Sequence, residues 1–399
     1  MAIIRPVAIL VANIIVAVLL PFLYLLELFW RVRIVPVLVD RIGNFSEDTQ
    51  LYLARRRLDG GLPPRTSHIL VGGNPINQQL LTMFQRVLPI HGSRASAAFL
   101  HYTKKLLGKT RFTHHLFQTH DDHFEFQYQV PILSFNSEEM SKGRELLKKM
   151  GIGDDDWYVC FHARDASYAE SRAPELQPDQ IDTKATHRNA NIHSFLEAAK
   201  YVVEQGGYAI RMGAVVAEPL PSDLSPRIID YATKYRSDFG DIFFTGTCRF
   251  FLGSPSGLSS AAMLFDVPIA TAHRIPLFPP PHGPRSLFIP RFVRRRGDND
   301  VMRFDDVDAM GMFEFEHDRW WVRNDQFDEA NVEIEPSSPS DIVDLCKDML
   351  DRLEGVEPSE AGAKYQQIFI DKFGSKGKSF PFAPRIGPRF AEKYRSMIV

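Results

Sequence analysis

With 399 residues, 44% of them hydrophobic and 24% charged, the chain holds material for two globular domains plus appendages. A formal net charge of −2 excludes a global pull toward nucleic acid, so an anionic partner would have to be recognised locally. Cys160, Cys248 and Cys346 stand far apart, which excludes a disulfide framework and gives zinc no ligand spacing.

The first element is an apolar run, Val7–Leu26, 20 residues without a charge, about the length that crosses a hydrocarbon core. Arg5 precedes it, Trp30, Arg31 and Arg33 follow, and no small-residue cleavage site interrupts it. Residues 1–33 are therefore expected to be an uncleaved membrane anchor. Pro21 leaves a kinked, re-entrant helix open beside a spanning one. The excess of arginine after the run places the longer part of the chain in the cytoplasm, at the inner membrane.

A buried strand is predicted at Ile34–Val39, then a loop through Gly43 and a helix from about Ser46. The grammar repeats with the strand "HILVGG", Asn74 as N-cap, Pro75 at the first helical position and the helix "INQQLLTMFQRVL". Alternation of this kind argues for parallel α/β layers over 34–150. Between Arg94 and Pro131 it gives way to a stretch rich in His and Phe whose spacings match no metal motif. The helix "SEEMSKGRELLKKMGI" leads through "GDDDW" to a new strand at 157–162, and this short acidic joint is read as the domain boundary. Beyond it follow a helix near 192–205, strands "YAIRMG" and "IIDY", a short helix near Ser237, strand "RFFLG", a helix opening at Gly257 and strand "VPIATAH". That order predicts a second, doubly wound Rossmann-like domain over 151–355. "SSPSDIVDLCKDMLDRLEG" closes it, with Ser338 as N-cap, Pro339 at N1, Asp341 at N3 and Gly355 as stop. The irregular stretch 276–330 is longer than a connection needs and reads as a flap or a mobile segment. Residues 356–399 are left as a C-terminal tail.

Ligands of doubly wound sheets sit at the C-terminal ends of the strands, and that position ranks the candidates. In "LGSPSGLSSAAM", Ser254, Ser256, Gly257 and Leu258 join a strand end to a helix start, where free backbone N–H groups suit a phosphate. A tight turn capped by Ser256 explains them equally well. In "FHARDASYAE", an apolar strand ends in His162, Arg164 and Asp165. Arg164 suits a bidentate grip on phosphate, and Asp165 suits a proton or a sugar hydroxyl. Arg164 and Asp165 could instead pair with each other. The cluster His187, Arg188, Asn189 and Asn191, and Arg211 at the end of "YAIR", would open on the same rim. Several cations there suggest a diphosphate.

These segments carry a resemblance to a family of bacterial glycosyltransferases with the GT-B fold, associated with surface-polysaccharide and glycoconjugate biosynthesis. It spans roughly 34–355 and is clearest in "FHARDASY", "HRNANI", "YAIRMG" and "CRFFLGSPSGLSSAAMLFDVPIA". "HARD" is also distantly similar to the donor loop of fucosyltransferases, with the aspartate one place early. The resemblance implies two Rossmann-like domains facing across a cleft and a nucleotide-sugar co-substrate, with no further cofactor and no metal. It assigns Arg164 to the donor's diphosphate and Ser256 with Gly257 to the nucleotide-sugar site; by their place on the same rim Arg188 and Arg211 join the diphosphate grip, and Ser254 and Leu258 the donor site. His162, Asp165 and Asp40 are the candidates for moving the acceptor proton, with Glu47 and Asp48 as weaker ones. Gly43 and Asn44 are expected on the acceptor side, the acceptor being a lipid-linked or envelope glycan at the membrane. Arg291, Arg294, Arg295 and Arg296 suit anionic headgroups, an acceptor phosphate or a solvated loop. A pyruvyl transferase and a non-catalytic glycolipid-binding scaffold remain alternatives.

Overall fold

The structure is a computed structural model that describes residues 4–116, 131–172, 186–275, 277, 283–313, 324–374 and 385–399. His120, His123 and the two tryptophans of the 276–330 stretch lie outside the described residues. The described residues fall into two compact units, those of Met1–Thr119 with Ile132–Ser134, and those of His120–Pro131 with Phe135–Val399.

The first unit opens with helix α1 (Ile4–Leu26). Then come strand β1 (Arg31–Pro36), helix α2 (Ile42–Leu58), strand β2 (Thr66–Gly72), helix α3 (Gln78–Gln85), strand β3 (Ile90–Gly92) and helix α4 (Arg94–Thr103). The three strands pair in parallel in the order β1-β2-β3. Two local readings change. α2 begins four residues early, with Arg41 as an extended N-cap whose carbonyl accepts from the Phe45 N–H at 2.9 Å. Gly43 and Asn44 therefore sit in the first helical turn, not in a loop, and Ser46 is buried inside the helix. The cap of α3 is Asn77, which accepts from Leu80 N–H at 2.8 Å, and not Asn74.

One stripe of α1 packs on its own unit. Val16 joins Leu107 and Phe112, with Leu20 and Leu23 against them, and Asn13 donates to the Tyr102 carbonyl at 2.9 Å. The spacing of 13, 16, 20 and 23 is one face of a helix. The rest of the circumference, including Leu10, Ile14, Val18, Phe22 and Leu25, is apolar and exposed.

The second unit is built on a six-stranded, all-parallel sheet of order β6-β5-β4-β7-β8-β9. The strands are β4 (Tyr158–His162), β5 (Tyr208–Arg211), β6 (Ile228–Asp230), β7 (Phe251–Gly253), β8 (Ile269–Arg274) and β9 (Leu287–Pro290). Read from β4, this is the 3-2-1-4-5-6 order of a doubly wound sheet, whose switch point lies between β4 and β7. The strands are buried on both faces, which explains why they read as continuous apolar runs. A two-stranded antiparallel ribbon, β10 (Phe292–Arg295) with β11 (Val332–Glu335), stands beside the sheet.

The helix Ser137–Lys149 belongs to this second unit, so the boundary falls before it and not at 150. The reason is local: Gly143 lets it approach Phe243 so closely that a Cβ would stand 2.0 Å from the ring. The 276–330 stretch is no simple flap, because Leu287, Phe288, Ile289, Phe304 and Phe313 are core residues. Nor is 356–399 a tail. Helix Glu360–Phe373 and the segment 385–399 contribute Phe369, Phe373, Ile386, Phe390 and Ile398 to the same core. Ion pairs fasten them, Arg389 to Asp348 at 2.6 Å and Lys393 to Asp341 at 2.6 Å. Helix Pro339–Glu354 carries the expected capping box and ends on Gly355 at φ 74°.

Candidate functional site: the switch-point rim of the second unit

At the switch point the chain is drawn in tightly. His162 pairs with Gly253, Ser254 N–H donates to the His162 carbonyl at 3.1 Å, and the Arg164 N–H donates to Ser254 Oγ at 2.8 Å. A Cβ on Gly253 would lie 2.6 Å from the His162 carbonyl oxygen, so only glycine permits this closure. Ser254 is thus buried and spent on the Arg164 backbone. Ser256 heads the helix Gly257–Met263 but makes no side-chain cap, and its Oγ is buried without a hydrogen-bond partner. Leu258 is buried in the first turn.

Arg164 leaves the end of β4, and its carbonyl accepts from the Ala190 N–H at 2.8 Å. Its guanidinium donates to the Asn189 side chain. Arg291 follows the last residue of β9 and donates to the Asn189 carbonyl. One asparagine therefore bridges two arginines that come from opposite sides of the switch point. Arg291 is only 6% exposed, its Nε has no acceptor, and no carboxylate pairs with it among the described residues. Burial pushes its guanidinium down to about 10, so it stays charged at neutral pH.

His187 reports the resulting field. Its Nδ1–H donates to Asn324 Oδ1 at 2.9 Å, its ring packs on Phe327, and its Nε2 is buried with no partner. Burial and the charges of Arg188, Arg291 and Arg164 push it down to about 4. His273 at the end of β8 is buried at φ 57° where the β8 register shifts. Its Nδ1 accepts from Ser337 N–H at 3.1 Å, so Nε2 carries the proton toward Ser194 Oγ at 3.3 Å. Burial, then Arg291, pushes it down to about 3. Together these residues form a rim of positive potential, with buried hydrogen-bonding atoms left open. An anion with several oxygens could be held by such a rim.

The remaining candidates have other duties. Arg211 is buried and pairs with Asp230 at 3.1 Å while donating to the Glu218 carbonyl at 2.9 Å. Its charge is consumed inside the fold, which corrects its reading as a donor ligand. Both Asp165 oxygens hold backbone, accepting from Ser167 N–H at 2.9 Å and Ala217 N–H at 3.1 Å. That makes Asp165 a loop fastener. His162 keeps a lone pair, since its Nδ1–H donates to the Met212 carbonyl at 2.9 Å and leaves Nε2 bare. Burial lowers its pKa, so the ring is neutral. In the first unit, Asp40 is half-buried beyond the C-terminal end of β1, next to the helix start that holds Gly43 and Asn44. The basic run is broken up: Arg294 pairs with Glu335 at 2.8 Å, Arg296 pairs with Asp328, and Arg291 belongs to the rim. Sequence reasoning left Arg291 to headgroups, an acceptor phosphate or a solvated loop and passed over His273, although both end apolar runs, "LFIP" and "ATA", as Arg164 does.

Among the described residues, no three His, Cys, Asp or Glu side chains stand together as metal ligands. No family model matches the chain, and no curated protein matches it in sequence. Solved structures do match, and the three that follow do so remotely. The ADP-heptose lipopolysaccharide heptosyltransferase II of E. coli is 11% identical with a TM-score of 0.42, covering 65% of this chain and 90% of its own. A glycosyl transferase family 9 protein of Veillonella parvula is 10% identical with a TM-score of 0.42, covering 81% and 98%. TibC, an iron-containing dodecameric glycosyltransferase of enterotoxigenic E. coli, is 11% identical with a TM-score of 0.34, covering 62% and 60%. Likeness at this level is too slight to carry an activity or a substrate to this chain.

Proposed function

We propose that this protein is a membrane-attached, metal-independent glycosyltransferase that moves a sugar from a nucleotide donor to a lipid-linked or envelope glycan. The observation that carries the reading is Arg291, a buried cation at the switch point with no described carboxylate partner, joined through Asn189 to Arg164. A nucleoside diphosphate supplies the missing negative charge, and the charge grows on it as the glycosidic bond breaks. Cations fixed in advance stabilise that leaving group without reorganising. Arg164, Arg188 and Arg291 would hold the diphosphate, Ser256 Oγ would donate to one of its oxygens, and His187 would gain a proton as the anion arrives. His162 Nε2 is the group assigned to the acceptor proton. Asp40, Gly43 and Asn44 mark the acceptor side on the first unit. The second unit would lie in the cytoplasm, where nucleotide sugars are made.

Membrane attachment rests on the outward face of α1. From Asn13 to Leu23 its other face is bound to α4 and the segment after it, which carry Arg94, His101 and Lys104. Such a helix dips into one leaflet more readily than it crosses two, because crossing would draw those charges into hydrocarbon. The test is thermal stabilisation of the detergent-purified chain by ADP, GDP, UDP and CDP, followed by turnover of matching nucleotide sugars, ADP-heptose among them. Stabilisation by one diphosphate that weakens in Arg164→Gln supports the reading. No stabilisation by any nucleotide overturns it.

A further inference from the structure

The first unit has its own concentration of positive charge, at the edge of its sheet away from the strand ends where Asp40 lies. A cavity of about 760 Å³ opens between the starts of β1 and β2 and the last turn of α2. Arg31 and Arg33 reach it from β1, His68 from β2, and Arg55 and Arg56 from α2. Asp59 is the single carboxylate among the described lining residues. Glu27 does little to balance them, because it is shared between Arg33 at 2.6 Å and Arg111 at 2.8 Å. Arg56 donates to the Tyr52 hydroxyl at 3.0 Å, while its Nε is buried without an acceptor. His68 Nδ1 is also buried without a partner, and burial with His114, Arg56 and Arg33 pushes the ring down to about 4. Guanidinium forks around buried, unanswered hydrogen-bonding atoms suit a tetrahedral oxyanion.

The cavity also has a particular address. A turn from Glu27 to Trp30 joins α1 to Arg31, Trp30 donates its indole N–H to Ser67 Oγ at 2.8 Å, and Leu28 and Phe29 beside it are 74% and 67% exposed. An apolar tip, a tryptophan and then a basic hollow repeat the layering of acyl chain, interface and headgroup. We propose that this cavity binds the phosphate of a membrane lipid headgroup, seating the first unit on the bilayer. The proposal rests on the embedding of α1 described above and not on sugar transfer.

The experiment uses the full chain in neutral detergent micelles, with dihexanoylphosphatidic acid, dihexanoylphosphatidylcholine and inorganic phosphate titrated separately and thermal stability read. A saturable rise with phosphatidic acid alone is expected. Arg31→Gln, at an exposed position, should weaken it about fivefold and leave any response to nucleoside diphosphates unchanged. Arg56→Gln should do at least as much, and Arg31→Gln keeps the test valid if the Arg56 variant fails to fold. An equal response to inorganic phosphate would make this a soluble-anion site and overturn the lipid assignment. So would no response, or one that ignores Arg31→Gln. Carbonate extraction of cell membranes reads α1 separately: release of the chain would refute the embedding whatever the transferase assay gives.

Discussion

Arg291→Met separates a ligand-binding arginine from a structural one. Holding a guanidinium at about 10 in place of its ordinary 12.5 costs the folded chain about 3 kcal/mol at neutral pH, since each pKa unit is about 1.4 kcal/mol. Methionine removes that cost and fills similar volume, but it leaves the Asn189 carbonyl without its donor, a loss of about 1–3 kcal/mol. The two nearly cancel, so the unliganded variant should melt within about 2 kcal/mol of the parent, with any excess toward stability. A charge-assisted hydrogen bond to diphosphate contributes about 1.5–3 kcal/mol, so the same variant should bind nucleoside diphosphate roughly ten- to 150-fold more weakly. Arg211→Met should behave in the opposite way, because it strands the buried Asp230 carboxylate and destabilises by about 3–5 kcal/mol. Urea melts of the purified chain and calorimetric titration with the stabilising nucleotide measure both quantities. If Arg291→Met unfolds as readily as Arg211→Met while its titration is unchanged, Arg291 is a packing residue and the diphosphate site is wrongly placed.

Acid should expose the buried histidines. His187 at about 4 and His273 at about 3 lie below the unfolded value near 6.5, so the unfolded chain takes up protons first and stability falls as pH drops below 6.5. Two such rings lower it by about 3 kcal/mol between pH 6.5 and 5, and His68 and His162, also held below 6.5, add to the fall; His187→Gln should remove about 1.5 kcal/mol of it in urea melts, and an unchanged slope would contradict its burial. Diphosphate should bind more tightly as pH falls toward about 4, because the anion favours protonated His187. Gly253→Ala should cost at least about 1–3 kcal/mol and abolish diphosphate binding, since its Cβ would sit against the His162 carbonyl; retained binding in titration calorimetry would show that the switch-point loops have room to spare. Gly143→Ala should destabilise the second unit by a similar amount through Phe243, and a melt indistinguishable from the parent would detach that helix from it.

The α/β alternation was legible because parallel strands are buried on both faces and appear as short apolar runs, "YVCF", "YAI" and "PIATA". Ser338, Asp341 and Gly355 announced a helix because capping is local chemistry. Arg164 was legible for a similar reason: a charge that ends a buried strand needs a partner. What stayed hidden was decided over distance. Nothing near Arg211 shows that Asp230 lies beside it across two strands. Arg291 stands 127 residues from Arg164, and only the order of β7, β8 and β9 brings both to Asn189. Residues 356–399 looked like an appendage because their apolar side chains are spread thinly, yet Phe369, Phe373 and Ile398 complete a core begun at β4.

That late completion bears on how the protein is made. Phe288 of β9 is covered on its open side by the 385–387 segment, taking a hydrogen bond from Gly387 N–H at 2.9 Å and giving one to the Arg385 carbonyl at 3.0 Å. Ribosomes deliver residue 386 roughly 100 residues after β9, which at ordinary rates is about 5–20 s. Throughout that interval the edge strand is bare, while α1 and the first unit left the ribosome long before. Under the proposed function, delivery to the membrane would precede closure of the β9 edge, and so of the sheet that carries Arg291.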